Sequence, residues 1–124
     1  LPHFDSTDPY YFALLHYLSP EPHGGTGLFR HRPTGFEKIT AATQHGYFQA
    51  AQQHLARYGA PRQGYCVATN DHFELYHKLE YRQNRLVIYP GNLLHSSLVN
   101  PSTDIAASIS QGRLTANIFI NFLA

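Results

Sequence analysis

A mainly β fold, of the jelly-roll or barrel-like double-sheet kind, is predicted by three observations. Short apolar runs with a period of two recur along the chain, and Pro, Gly and Asn clusters separate them. A single stretch changes to helical spacing, which fits one insertion in an otherwise all-β domain.

The elements follow in order. After a Ser6–Pro9 loop and Tyr10, a first strand is expected over Tyr11–Leu18 and ends at the turn Ser19-Pro20-Glu21-Pro22-His23-Gly24-Gly25. A short strand, Thr26 to Arg32, is closed by Pro33-Thr34-Gly35. Between about 38 and 58, Phe48, Ala51, Leu55 and Tyr58 recur at helical spacing, and Gly59-Ala60-Pro61 supplies a stop. This helical insertion is expected to cover one side of the sheet. Asp71-His72-Phe73-Glu74 has the form of a capping box and predicts a short helical turn. Alternation returns over Lys78–Arg82, Gln83-Asn84 turns, and Arg85–Tyr89 reads as a buried strand ended by Pro90-Gly91-Asn92. His95 sits on a short segment. A polar loop runs from Asn100 to Gly112, and the last strand is expected over Arg113–Leu123.

Composition excludes several classes. With 124 residues, 43% of them apolar and a net charge of +1, the chain is one globular domain or part of one. Its basic residues are scattered, unlike the stripe of a nucleic-acid binder. No apolar run reaches membrane-spanning length and no signal peptide is visible, so no membrane association is expected. Cys66 stands alone, which allows no internal disulfide and points to a reducing, cytoplasmic setting. The chain opens Leu1-Pro2-His3 without an initiator Met, and is expected to be the C-terminal part of a longer domain whose earlier strands lie upstream.

Two His and one carboxylate on one face form a metal grip that leaves other coordination positions open. Residues i and i+2 of an extended segment point the same way, so His3 and Asp5 can reach one ion, and His95 after a buried strand can be the third ligand. The dyad alone is weak, since about half a His-x-Asp/Glu match is expected by chance at this composition. His72-Phe73-Glu74 is the other such match, set aside because a helical turn would make its side chains diverge. Taken singly, His16, His23, His31, His45, His54 and His77 are ordinary surface or core residues.

Arg113 adds a second signal. On a strand, Arg113, Thr115, Asn117, Phe119 and Asn121 share one face, while Leu114, Ala116, Ile118, Ile120 and Phe122 form an apolar wall on the other. The polar face suits a wet, functional interior, or else a solvent-facing edge strand. A guanidinium fork matches a carboxylate in bidentate geometry, and the Thr115 hydroxyl can add a further bond.

These motifs together carry a resemblance. His3-x-Asp5, the strand end Tyr17-Leu18, Gly24-Gly25-Thr26, Asn84-Arg85-Leu86-Val87-Ile88-Tyr89-Pro90-Gly91 ahead of His95, and Gly112-Arg113-Leu114-Thr115 resemble the prolyl-hydroxylase-like branch of Fe(II)/2-oxoglutarate dioxygenases. More narrowly, the chain is similar to an uncharacterised bacterial family within that branch. The resemblance implies a double-stranded β-helix with iron held by His3, Asp5 and His95. It further implies that Arg113, with Thr115 and Tyr17, holds the distal carboxylate of 2-oxoglutarate. The implied reaction hydroxylates an unactivated C–H bond while 2-oxoglutarate becomes succinate and CO₂. The gap from His95 to Arg113 is longer than in typical prolyl hydroxylases, so 96–111 is expected to be an added loop, a candidate substrate lid. That loop and Asp8-Pro9-Tyr10-Tyr11 are the candidate walls for a small-molecule or peptide substrate. A cupin-like module that binds metal and a small molecule without redox chemistry explains the triad equally well, and gives Arg113 no special task.

Overall fold

The computed structural model describes residues 1–60, 65–106 and 111–123 of the chain, and is built on two three-stranded antiparallel sheets. In the first sheet β1 (Tyr11–Tyr17) is central, flanked by β4 (Leu86–Pro90) and β6 (Thr115–Asn121). Alternation decides its two faces. Ala13, Leu15 and Tyr17 point inward and are buried; opposite them lie Tyr89 and Val87 of β4, and Phe119, Asn117 and Thr115 of β6. Tyr81 completes this inner cluster. The outward rows are Pro90–Phe12–Ile120 and Ile88–Leu14–Ile118, so the apolar wall of the last strand lies on the outside of the sheet. Ile88 and Ile118 are 60% and 56% exposed, and the strand expected to be fully buried around Ile88 is therefore buried on one face only.

The second sheet places β2 (Thr26–His31) between β3 (Phe73–Leu79) and β5 (His95–Ser97). Thr26 faces the first sheet, where its hydroxyl lies 2.7 Å from that of Tyr17. Phe29 and His31 sit on the other side, toward α1 (Gln44–Tyr58). Phe29, Ile39 and Leu94 are fully buried there beside Phe73 and Tyr47. Each such burial is worth roughly 2 kcal/mol, which makes this layer the anchor of the helix and of the segment leading to His95.

Five local expectations are corrected by the structure. Residues 38 to 43 are not helical, because Lys38 bridges Leu93, Ile39 N–H bonds Asn92 and Thr40 and Thr43 close a turn; the helix begins at Gln44. Its buried residue is Tyr47, not the expected Phe48 and Leu55, which are 49% and 42% exposed. Gly59 does end it, at φ 79°, a left-handed conformation that costs glycine little, with its N–H on the Leu55 carbonyl.

The expected helical turn at Asp71–Glu74 is instead the entry to β3: Asn70 Oδ1 accepts the N–H groups of His72 and Phe73, and the chain continues extended. At the other end, the last strand is Thr115–Asn121, and Arg113 precedes it. Within the expected added loop 96–111, Ser96 and Ser97 belong to β5 and α2 (Pro101–Asp104) forms one turn capped by Asn100; residues 107–110 lie outside the described residues. Among the described residues no helix is long and apolar enough to cross a membrane.

Candidate metal centre

His3, Asp5 and His95 converge. One nitrogen or oxygen from each lies within 4.8 Å of the others, the only such group among the described residues. The cause is a single antiparallel bridge. His3 and His95 exchange two backbone hydrogen bonds of 2.9 Å, which sets both side chains on the same side with ring centroids 4.4 Å apart. Asp5, two residues on, is fixed by its N–H to the Gly91 carbonyl at 2.7 Å. The expected strand around His3 is reduced to this bridge, yet the i, i+2 geometry survives.

The protonation pattern follows from the acceptors. His95 Nδ1 lies 2.8 Å from the Leu93 carbonyl and His3 Nδ1 lies 3.3 Å from that of Leu1. A carbonyl only accepts, so each Nδ1 donates and each neutral ring presents an Nε2 lone pair. Those two Nε2 atoms face Asp5 at 3.4 Å (His95) and 3.7 Å (His3). Three lone-pair donors aimed at one point repel unless a cation lies among them. Burial, and then His3, hold the His95 imidazole below its usual pKa, against the Leu93 carbonyl and Asp5, which raise it. That environment disfavours a proton on His95. Nitrogen, nitrogen and carboxylate oxygen suit a divalent first-row metal, and the Nδ1 hydrogen bond to a backbone carbonyl is the usual way a ligating imidazole is oriented. His95 is the enclosed member of the triad, with a side chain 7% exposed, and His3 is the open one, at 58%.

A cavity of about 170 Å³ lies against the triad between the two sheets. Ala13, Leu15 and Tyr89 give it apolar walls, and Thr26, Ser97 and Asn117 give it polar ones. Tyr89 stacks edge-on against His95 with centroids 4.9 Å apart; burial and then the Asp5 carboxylate push its phenol pKa up, so the hydroxyl stays protonated.

The three residues expected to hold a carboxylate stand behind this cavity. Tyr17 is fully buried and reaches it through the Thr26 hydroxyl. Thr115 is the ladder partner of Tyr17 and shares its inner face. Arg113 lies over the rings of Tyr17 and Tyr81 at 5.6 and 5.8 Å. Its Nε and Nη2 donate to the Gly24 and Gly25 carbonyls at 2.7 and 3.2 Å, and it does not itself line the cavity. Both glycines are required by neighbouring backbone: a Cβ on Gly24 would stand 1.6 Å from the Leu98 carbonyl oxygen, and one on Gly25 1.9 Å from that of Leu79.

His72 and Glu74 do not converge, for a reason other than the helical one expected. His72 Nε2 lies 3.1 Å from the Gly59 carbonyl, while Glu74 pairs with Arg30. Thr26 and Tyr89 were not among the expected site residues, and Ser97 was expected only as part of the candidate wall 96–111. Their signal is cross-strand pairing (Thr26 opposite Ser97, Tyr89 opposite Ala13), which one strand's alternation does not reveal. Asn117 was legible from its place on the polar face of the last strand.

The site and the two sheets define a β-rich protein in which three candidate metal ligands, His3, Asp5 and His95, converge. The chain belongs to DUF6445, a family of unknown function whose model matches residues 1–120. No curated protein and no solved structure matches it.

Proposed function

We propose that the protein is an Fe(II)- and 2-oxoglutarate-dependent oxygenase, a hydroxylase built on a double-stranded β-helix. The observation that carries the reading is the His3–Asp5–His95 triad, whose Nε2 and carboxylate lone pairs converge beside a cavity with polar groups at its far side. His3, Asp5 and His95 would hold the iron. Once bound, iron and 2-oxoglutarate supply the oxidising chemistry, the coupling of O₂ reduction and decarboxylation to C–H hydroxylation. The chain's own residues perform the remaining tasks. Leu93 and Leu1 carbonyls fix the imidazole tautomers. Ala13, Leu15 and Tyr89 exclude water from one side of the cavity. Thr26 and Asn117 offer hydrogen bonds to an anionic cosubstrate, with Tyr17 and the Arg113 charge behind them. A small-molecule or peptide substrate would approach from the His3 side, the exposed edge of the triad.

A second reading, a cupin-like module that binds metal and a small molecule without redox chemistry, draws on one observation: Arg113 spends two nitrogens on backbone carbonyls outside the triad cavity. Anaerobic Fe(II) titration separates the two. The oxygenase develops a visible metal-to-ligand band only after 2-oxoglutarate is added, and converts 2-oxoglutarate to succinate in air, a turnover that His95→Ala abolishes. Iron binding with neither band nor succinate would leave the metal-binding module in possession.

A further inference from the structure

We propose that Asp104, buttressed by His23, is a positioning residue that sets the Arg113 guanidinium for the carboxylate of an anionic ligand. The inference rests on the oxygenase reading and adds to it a residue that no motif in the chain marks.

Asp104 is the most heavily bonded carboxylate in the described structure, and its side chain is 1% exposed. Oδ1 meets His23 Nδ1 at 2.7 Å and accepts the Thr103 hydroxyl at 3.0 Å. Oδ2 accepts the N–H groups of Asn100 at 2.7 Å and Gly24 at 3.0 Å. Its main-chain carbonyl accepts the Arg113 N–H at 2.8 Å. One residue thus grips Arg113 by the backbone, and grips Gly24, whose own carbonyl receives Arg113 Nε. The ring closes: Asp104 to Gly24, Gly24 to the guanidinium, Arg113 N–H back to Asp104.

His23 reaches the second support. Its ring packs edge-on against Tyr81 at 5.2 Å, and Tyr81 is one of the two rings beneath the guanidinium. The Tyr81 hydroxyl meets Ser19, whose Oγ accepts the Leu114 N–H, so both residues at the head of the last strand are tied to the same network. Burying a carboxylate is costly unless several donors compensate it. A one-turn helix over a surface loop does not require that expense; fixing the plane and edge of a nearby arginine does. With Nε and Nη2 held, the edge that carries Nη1 is the one presented to a ligand.

Calorimetric titration of 2-oxoglutarate into the Mn(II)-loaded protein tests this, with Mn(II) affinity and the ¹⁵N–¹H resonance of Arg113 Nε measured alongside. Asp104→Asn should weaken 2-oxoglutarate binding by roughly 10- to 100-fold, the usual range for a residue behind the ligand-contacting one, with Mn(II) affinity within about two-fold of the parent. His23→Gln keeps a donor toward Asp104 and should retain most of the parent affinity. In the ligand-free protein the Arg113 Nε–H should be slow to exchange, and fast in Asp104→Asn. Unchanged 2-oxoglutarate affinity and unchanged exchange in Asp104→Asn overturn the proposal, as does equal weakening of metal and 2-oxoglutarate. If the parent protein binds no 2-oxoglutarate, the oxygenase reading fails, while the exchange rate still decides whether Asp104 holds the guanidinium. Should Asp104→Asn not fold, a graded loss in His23→Ala carries the same two readouts.

Discussion

Two histidine clusters lie on opposite sides of the second sheet, and among the described residues only one brings three candidate metal ligands together. At His3, Asp5 and His95 both imidazoles spend Nδ1 on a carbonyl and turn Nε2 toward a carboxylate. At His31, His54 and His72 the rings pack on each other and on aromatics, with His54 and His72 centroids 4.5 Å apart and His31 4.8 Å from Tyr47. His31 Nδ1 is engaged by the Thr34 hydroxyl and His72 Nε2 by Gly59. The second cluster has as many histidines as the first has ligands, but they bring no carboxylate into the group and share no common point. What distinguishes a metal site is therefore not the number of imidazoles. It is backbone acceptors that fix the tautomers and an anion at the focus.

The largest effect should come from removing that anion. Asp5→Ala leaves two neutral imidazoles and one fully exposed edge, and should abolish Fe(II) or Mn(II) binding in the micromolar range. The matching change on the other side, His72→Ala, should leave metal affinity unaltered. Calorimetry with Mn(II) measures both, and metal binding that survives Asp5→Ala and is lost in His72→Ala would reverse the assignment of the two clusters.

Legibility in the sequence divides along the same line. The i, i+2 dyad and the strand positions of Tyr17 and Asn117 could be read because they depend on local periodicity, whereas Arg113, expected on the last strand, precedes it. The two-sheet, mainly β architecture could be read for the same reason, from alternation between Pro, Gly and Asn turns. The Asp71–Glu74 segment misled because an Asn or Asp side chain accepts the next N–H groups in a helix cap and in an Asx turn alike, and here Asn70, one residue earlier, makes the turn; the difference is whether the following residues find a sheet partner, and Phe29, Arg30 and His31 of β2 supply one. The helix was located but rotated: a choice of Tyr47 or Phe48 as its inner residue is a choice of about 100° that only the neighbouring Phe73 and His31 decide. Asp104 was invisible because the partners that tie it to the site's far end, Gly24 and His23, lie 80 and 81 residues away.

Acid should strike the second cluster before it exposes anything else. His31 is 1% exposed, and burial, then the neighbouring His54 and His72, lower its pKa to about 4. The unfolded state, with an ordinary value near 6.5, binds that proton more readily, so stability increases with pH through this interval. The contribution is complete above about pH 6.5 and is lost as pH falls toward 4, by up to about 3 kcal/mol. Urea unfolding of the metal-free protein at pH 7.5 and pH 5 should show the decline, and His31→Gln should flatten it. An identical slope in the variant would move the acid sensitivity elsewhere in the fold.

The smallest effect concerns His54, whose Nε2 is buried without a hydrogen-bond partner among the described residues. An unsatisfied buried nitrogen costs about 1 to 3 kcal/mol, whereas the ring's packing against Tyr58 and His72 returns part of that. His54→Leu keeps apolar volume on the inner stripe of the helix and removes the orphaned atom. It should leave stability within about 1 kcal/mol of the parent, on the stabilising side, while raising the His31 titration by removal of a neighbouring imidazole. The same substitution at His95, where each ring nitrogen has a defined acceptor or focus, should cost metal binding outright. A histidine that can be replaced by leucine without loss is a packing residue, and that outcome at His54 beside failure at His95 is the sharpest form of the contrast between the two clusters.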